Sequence, residues 1–304
     1  MINYILNNTQ SIMIVNKNCI YIKSYFTTYS LKGENIDDLI TDITSLFKEP
    51  NSLENVLTIL LDKYSKEALS TILNLFVERQ IIIPVENYSE DSNVNILNSI
   101  NDFKLTSSKI DEIKNNTSIG LISDKEFISE LKNIQENFKI RNFNFLDLTS
   151  SLYNIKEKLE YIINNSTVII LLLKNENQYL INIVNEICIL NNKPYLVGII
   201  DGYTSEIGPF IIPKKSPCYK CYQFRMKNNI ENTIVLNNIN NDSQTENLFY
   251  PIVKIVCGIV INETFKYLYT SNSILIGNIL TTNYLTYNQS IHKVIKAYNC
   301  PICS

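Results

Sequence analysis

Glycine is scarce, with seven in 304 residues, and histidine occurs once, as His292. A single histidine in a late predicted strand makes a poor general base, and a structural or exposed role is the simpler expectation. No apolar stretch approaches the roughly 20 residues that span a bilayer, so no membrane partner is expected. The opening, Met1–Asn8, lacks the basic n-region and following apolar run of a signal peptide, and a cytoplasmic protein is the expectation. Basic excess is missing too. The formal net charge is -3 and the lysines are scattered, which leaves no electrostatic footprint for nucleic acid or an anionic membrane. In a reducing compartment, seven cysteines point to metal ligands or buried thiols rather than disulfides.

The length allows two domains, each with its own core. Three short strands are predicted first, at Asn3–Leu6, Ser11–Val15 and Ile20–Tyr25, separated by Asn-rich turns. After a turn at Gly33 come three amphipathic helices. The first carries Ile36, Leu39, Ile40, Ile43, Leu46 and Phe47 at helical spacing, and Pro50 ends it. Ser52 is placed to cap the second and Ser65 the third, which turns Leu69, Ile72, Leu73 and Phe76 inward. A β run at Ile81–Ile83 closes a winged-helix-type unit over residues 1–85. Residues 86–117, rich in Asn, Ser and Asp, read as a linker with a short helix around Ile96–Phe103.

From residue 118 to 304, strand and helix alternate. Strands are predicted at Ser118–Ile122, Asn142–Asp147, Thr167–Leu173 and Tyr195–Ile200, with helices at Glu126–Phe138, Leu152–Ile163, Gln178–Leu190 and Tyr250–Tyr269. The run Thr167–Leu173 is β-branched and apolar throughout, as suits a strand buried on both faces. Such alternation specifies an α/β fold, a Rossmann-like parallel sheet with helices on its faces. Strand-like segments follow at Ser273–Ile276, Leu280–Tyr287 and Ile291–Ala297.

Two Cys-x-x-Cys hooks carry the strongest chemical signal. The first is Cys218 and Cys221, the second Cys300 and Cys303. Each hook sets two thiolates on one tight turn, and two hooks complete a tetrahedral zinc site. All four ligands come from the protein, so the zinc would be structural, stapling the last predicted segments onto the second domain. Cys19, Cys188 and Cys257 lie inside predicted elements and are expected to be buried small hydrophobes.

A nucleotide site would need a Gly-rich turn after the first strand of the second domain. Ile119-Gly120-Leu121-Ile122-Ser123-Asp124-Lys125 stands there instead, with its one glycine inside the strand. Neither a phosphate cradle nor an acid/base or nucleophile set is visible, so no catalytic residue and no ATP or FMN site is expected on this chain.

On these residues the second domain resembles the ThiF/MoeB-like fold of ubiquitin-activating-type enzymes. The resemblance runs through Lys193–Gly198, Gly208-Pro209-Phe210 leading to Ser216–Cys221, Pro251-Ile252-Val253, Asn262–Leu268 and His292-Lys293-Val294 before Cys300–Cys303. Two features depart from the active members, the missing Gly-rich loop and the stretch Leu173-Lys174-Asn175 where an acidic strand end belongs. Residues 1–85 resemble a PqqD-type module, through Ser24-Tyr25-Phe26 to Gly33, the three helices and Ile81–Ile83. Joined in this order, the domains are similar to cyclodehydratase partner proteins of the SagC and McbB type in azole and azoline peptide (bacteriocin) biosynthesis. The resemblance implies that the chain holds a precursor's leader peptide for a YcaO cyclodehydratase, often alongside a flavin dehydrogenase, and that it is a homodimer.

A leader can add as a strand to an open sheet edge. The expected edge is Ile20, Tyr21, Ile22, Lys23, Ser24 and Tyr25, beside Leu69, Leu73 and Phe76 of the third helix. Half-buried sheet packing explains these aromatics equally well. Two other readings stand beside this one. The first is a ThiF-like adenylyltransferase that activates a carboxylate with ATP. The second is a winged-helix DNA regulator, against which residues 1–88 carry seven Lys/Arg and ten Asp/Glu.

Overall fold

The computed structural model of the chain describes residues 2–7, 10–23, 28–88, 107–138, 142–149, 153–229 and 249–303. The chain divides into two compact units, Met1–Glu112 and Ile113–Ser304.

In the first unit, β1 (Asn3–Leu6), β2 (Ser11–Asn16), β3 (Cys19–Lys23) and β4 (Thr28–Lys32) precede α1 (Ile36–Leu46). A short β5 (Asn51–Ser52), α2 (Leu53–Leu60), α3 (Lys66–Glu78) and β6 (Ile82–Pro84) follow. The caps are as the sequence predicts: Ser52 accepts from the Asn55 amide at 3.2 Å and Ser65 from the Ala68 amide at 3.3 Å. Each satisfies one of the helix's unpaired N-terminal donors. The helices bury Ile36, Ile40, Ile43, Val56, Leu69, Leu73 and Phe76 in one core with Ile20 and Ile22 of β3.

The strands pair differently from the expectation. β1 joins β5 and β6 in one antiparallel sheet, while β2, β3 and β4 form a separate antiparallel meander. Ile20–Lys23 of the expected strand Ile20–Tyr25 lie in the central β3, flanked on both sides, and so offer no open edge. β4 fills the side expected to be free: Ile20 pairs with Leu31 and Ile22 with Tyr29. Its sequence, Thr28-Tyr29-Ser30-Leu31-Lys32, alternates polar and apolar residues as a half-buried strand does.

Within the stretch expected as linker lies α4 (Ser107–Asn116); the helix expected at Ile96–Phe103 lies outside the described residues.

The second unit is a seven-stranded sheet with helices. Its elements are β7 (Ser118–Ser123), α5 (Lys125–Phe138), β8 (Asn142–Asp147), α6 (Ile155–Asn164), β9 (Val168–Lys174), α7 (Gln178–Leu190) and β10 (Tyr195–Asp201). β11 (Thr204–Ile211), α8 (Tyr219–Asn229), α9 (Tyr250–Thr270), β12 (Asn278–Asn283) and β13 (Asn288–Lys293) complete it. The strand order is β13-β12-β11-β10-β9-β7-β8. β8, β7, β9 and β10 run parallel, and β11, β12 and β13 extend the sheet antiparallel. This is the mixed α/β fold the sequence specifies. Six of the seven residues of β9 are buried, as its unbroken apolar run requires.

β11 and α8 are additions to the sequence reading, and the segment Ser273–Ile276, expected as a strand, forms turns with one isolated bridge from Ile276 to Phe210. The Glu263 carboxylate, on the buried side of α9, orders those turns. It accepts from the Ser273 hydroxyl at 2.6 Å and the Ile274 amide at 3.2 Å, and it pairs with Lys266 at 2.7 Å. Among the described residues no helix is long and apolar enough to cross a membrane.

Candidate functional site

Cys218 and Cys221 sit where the chain enters α8. The Cys221 amide donates to the Cys218 carbonyl at 3.1 Å, closing the turn that brings both sulfurs to one side. Cys300 and Cys303 follow β13 after a short irregular segment. The four Sγ atoms lie within 4.8 Å of one another. Cys218 and Cys221 are 3.9 Å apart, Cys218 and Cys300 3.6 Å, and Cys221 and Cys303 3.5 Å. A disulfide would hold its sulfurs at about 2.05 Å, and none of the four cysteines is in a disulfide. Metal–thiolate bonds of about 2.3 Å at tetrahedral angles place sulfurs about 3.8 Å apart. The spacing therefore fits one metal ion held by four sulfurs.

Cys218, Cys221 and Cys300 are buried in the core that also contains Tyr195, Ile211 and Tyr219. Burial pushes the Cys218 and Cys303 thiols up. At Cys300 burial also acts upward, but the amides of Ile302 and Cys303 and the neighbouring thiols outweigh it and bring the group down to about 7. A divalent cation would deprotonate all four outright, removing the mismatch of packed, buried thiols.

The first hook is positioned by a residue the sequence reading passed over. Asn185, buried on α7, accepts through Oδ1 from the Tyr195 hydroxyl and, at 3.2 Å, from the Tyr219 amide. It ties α7, β10 and the start of α8 together beside Cys218. Its one local signal is a polar side chain on the apolar face of α7. Of the remaining cysteines, Cys188 and Cys257 are buried as expected, whereas Cys19 at the start of β3 is partly exposed. His292 lies exposed on β13, within hydrogen-bond reach of Ser290 Oγ at 2.8 Å and Thr281 Oγ1 at 3.2 Å.

A second place in this unit invites a ligand by topology. From β7 the chain crosses first to β8 on one side and then to β9 on the other, so a crevice opens past the carboxyl ends of β7 and β9. Here Asp124, between β7 and α5, reaches across: its Oδ2 accepts from the Lys174 amide at 2.9 Å. Burial raises the Asp124 pKa, the Lys174 amide opposes that, and the charges of Glu126 and Asp147 add to it. Glu176, just past β9, is likewise raised by burial and by Glu206. Acidic groups thus edge the crevice. Gly120 serves packing inside β7, because a Cβ there would meet Ser166 Oγ at 2.6 Å and Ile169 Cδ1 at 2.7 Å.

The residues expected to bind peptide divide in two. Ile20, Ile22, Leu69, Leu73 and Phe76 are core residues with at most 2% exposure, so their side chains are spent on packing. Tyr21 and Lys23 are exposed on the outer face of the meander, and Ser24 and Tyr25 lie outside the described residues. Among the described residues the open edges of the meander are β2 and β4. At β4 the guanidinium of Arg79, the residue whose backbone amide closes the end of α3, lies over the Tyr29 ring at 4.9 Å from its centroid. Tyr29 sets β4 beside the end of α3, and Gln10 Nε2, which donates to the Arg79 carbonyl at 2.9 Å, sets the start of β2 there too.

The profile of the ThiF family matches residues 128–302. Among solved structures, the heterocyclase TruD superposes with a TM-score of 0.71 at 14% identity, covering 100% of this chain and 43% of that one. A heterocyclase in complex with substrate and cofactor gives 0.69 at 14% identity over 99% of this chain and 39% of its own. This chain thus spans less than half the length of those two. E. coli MccB with ATP gives 0.70 at 14% identity, covering 99% of this chain and 100% of MccB. At such identities the likeness is one of fold. No curated protein matches the chain.

Proposed function

The chain belongs to the ThiF family, and from that membership we propose that it is a non-catalytic, leader-peptide-binding subunit of a YcaO-dependent cyclodehydratase that forms azolines or azoles in a ribosomal peptide. The likeness to TruD and to a heterocyclase holding its substrate supports the heterocyclase setting. The observation that carries the reading is a strand edge, β4, unpaired on one side among the described residues, in a chain whose sheet crevice is bridged by Asp124 and edged with carboxylates. The first unit is the winged-helix-type leader module, and the chain works as a homodimer.

The leader lies along β4 as a further antiparallel strand, with Tyr29 and Arg79 beside it at the end of α3. Each backbone hydrogen bond nets only about 0.5–1.5 kcal/mol, so the side chains flanking the edge supply the selectivity. The metal is zinc, and it supplies structure: Cys218, Cys221, Cys300 and Cys303 fill its tetrahedron and leave no position for water.

One observation favours a second reading. The likeness to MccB bound to ATP runs the length of both chains, as carboxylate adenylation by this chain would require. Against it stands the negative charge of Asp124 where a phosphate would rest.

The test is fluorescence anisotropy with a labelled leader from a precursor encoded beside the gene, together with pyrophosphate exchange. Saturable binding that Tyr29→Ala and Arg79→Glu weaken, without exchange, supports the scaffold. Exchange that depends on precursor establishes the adenylyltransferase instead. No binding by the full chain defeats the leader reading, and a monomer in light scattering at tens of micromolar defeats the homodimer.

A further inference from the structure

A cavity of about 470 Å³ in the second unit gathers three lysines and no carboxylate. Its walls are Lys215, Ser216 and Pro217 from the turn after β11, Ile276 and Gly277 before β12, and Lys293 to Lys296 at the end of β13. The backbone that shapes it is firmly tied. The Val294 amide donates to Gly277 O at 2.8 Å, the Gly277 amide to Phe210 O at 3.2 Å, and the Ser216 amide to Ile212 O at 2.9 Å. Gly277 holds φ +67, and a Cβ there would meet Pro217 Cδ at 3.4 Å, so backbone stands close to the wall.

Among the described residues, the ammonium groups of Lys215, Lys293 and Lys296 form no ion pair and donate no hydrogen bond. The chain as a whole carries -3, so this cluster is not one part of a generally basic surface. Like charges converging on one concavity raise the local potential, and a counter-charge placed there relieves their repulsion. Val294, buried, and Ile276, half-buried, give the same cavity an apolar side. The volume is that of a small-molecule site.

We propose that this cavity is a binding site for a small multivalent anion of the phosphate type, held by the ammonium groups of Lys215, Lys293 and Lys296. The site is independent of the leader reading and lies at the antiparallel end of the sheet, away in strand order from the β7–β9 crevice. The phosphate group is free or carried on an apolar body that rests against Ile276 and Val294.

Calorimetry on the full chain at low ionic strength, with inorganic pyrophosphate and with phenyl phosphate, tests it. One-to-one saturable binding of at least one probe is expected, weakened by added salt. Tighter pyrophosphate points to free phosphate, and tighter phenyl phosphate to an ester. Removing two cation–anion pairs in Lys293→Gln/Lys296→Gln lowers affinity about tenfold, with metal content and unfolding midpoint unchanged. Lys17→Gln/Lys156→Gln, which removes the same charge elsewhere, changes it by less than about twofold. No saturable binding of either probe, or equal weakening in the two double variants, overturns the site.

Discussion

The Asp124 carboxylate accepts a 2.9 Å hydrogen bond from the Lys174 amide, spanning the crevice in which open α/β sheets hold their ligands. The Lys174 amide is thus answered by a side chain of the protein itself, a carboxyl that repels phosphate once ionised. The expected outcome is no measurable heat when ATP is titrated into the chain. Micromolar affinity that is lost on substituting Asp124 would reverse the conclusion.

The same carboxyl makes stability depend on pH. Burial holds its pKa above the usual carboxylate range in the folded chain, so the folded state binds that proton more tightly than the unfolded state. Stability from this group is full at acid pH and declines as pH rises from the usual range through the raised value. Asp124→Asn cannot ionise, yet its amide oxygen can still accept from Lys174. The variant should gain midpoint over the wild type more at pH 8 than at pH 4 in denaturant unfolding. An equal difference at both values rules out the account.

Four sulfurs within 4.8 Å predict about one zinc per chain in purified protein, read by elemental analysis. Protons compete for the thiolates, so the metal should leave as pH falls. Cys218→Ser/Cys300→Ser should lose the metal and lower the unfolding midpoint. Full retention in that variant would show that the ion sits elsewhere.

Core and contact residues of the first unit should separate cleanly. Phe76 is fully buried, and Phe76→Ala should destabilise by about 3–5 kcal/mol in urea titration. Leu73→Met keeps volume, should cost less than about 1.5 kcal/mol and leave leader affinity within about twofold. Arg79→Glu should weaken leader binding about tenfold with folding intact. A strong binding defect in a folded Leu73→Met protein would return α3's inward face to the binding surface.

The parts of this structure that local pattern could reveal are those built from neighbours in sequence. The helix stripe at Ile36, Ile40 and Ile43, the caps at Ser52 and Ser65, and the buried part, Val168–Leu173, of the apolar run read at Thr167–Leu173 all announce themselves within a few residues. The cysteine hooks are legible for the same reason. β11 escaped because Gly208-Pro209, ordinary turn residues, stand in its middle. The place of β3 in the meander is a matter of pairing, and periodicity does not say which strand takes the middle. Asp124 meets Lys174 across 50 positions, and Tyr219 meets Asn185 across 34, distances at which one sequence carries no signal.

Cys218 and Cys300 stand 82 positions apart and 3.6 Å from one another. With one ion on all four sulfurs, the chain between the hooks becomes a closed ring that includes α9, β12 and β13. Closing a ring of that size restricts the unfolded chain far more than it strains the folded one. The ring also changes what a break in the backbone means. A single cut between the first hook and β12 opens the ring but does not part the molecule, because the two pieces stay joined through the ion and through the β11–β12 ladder. Strip the ion, and the ladder and the buried apolar face of α9 hold them.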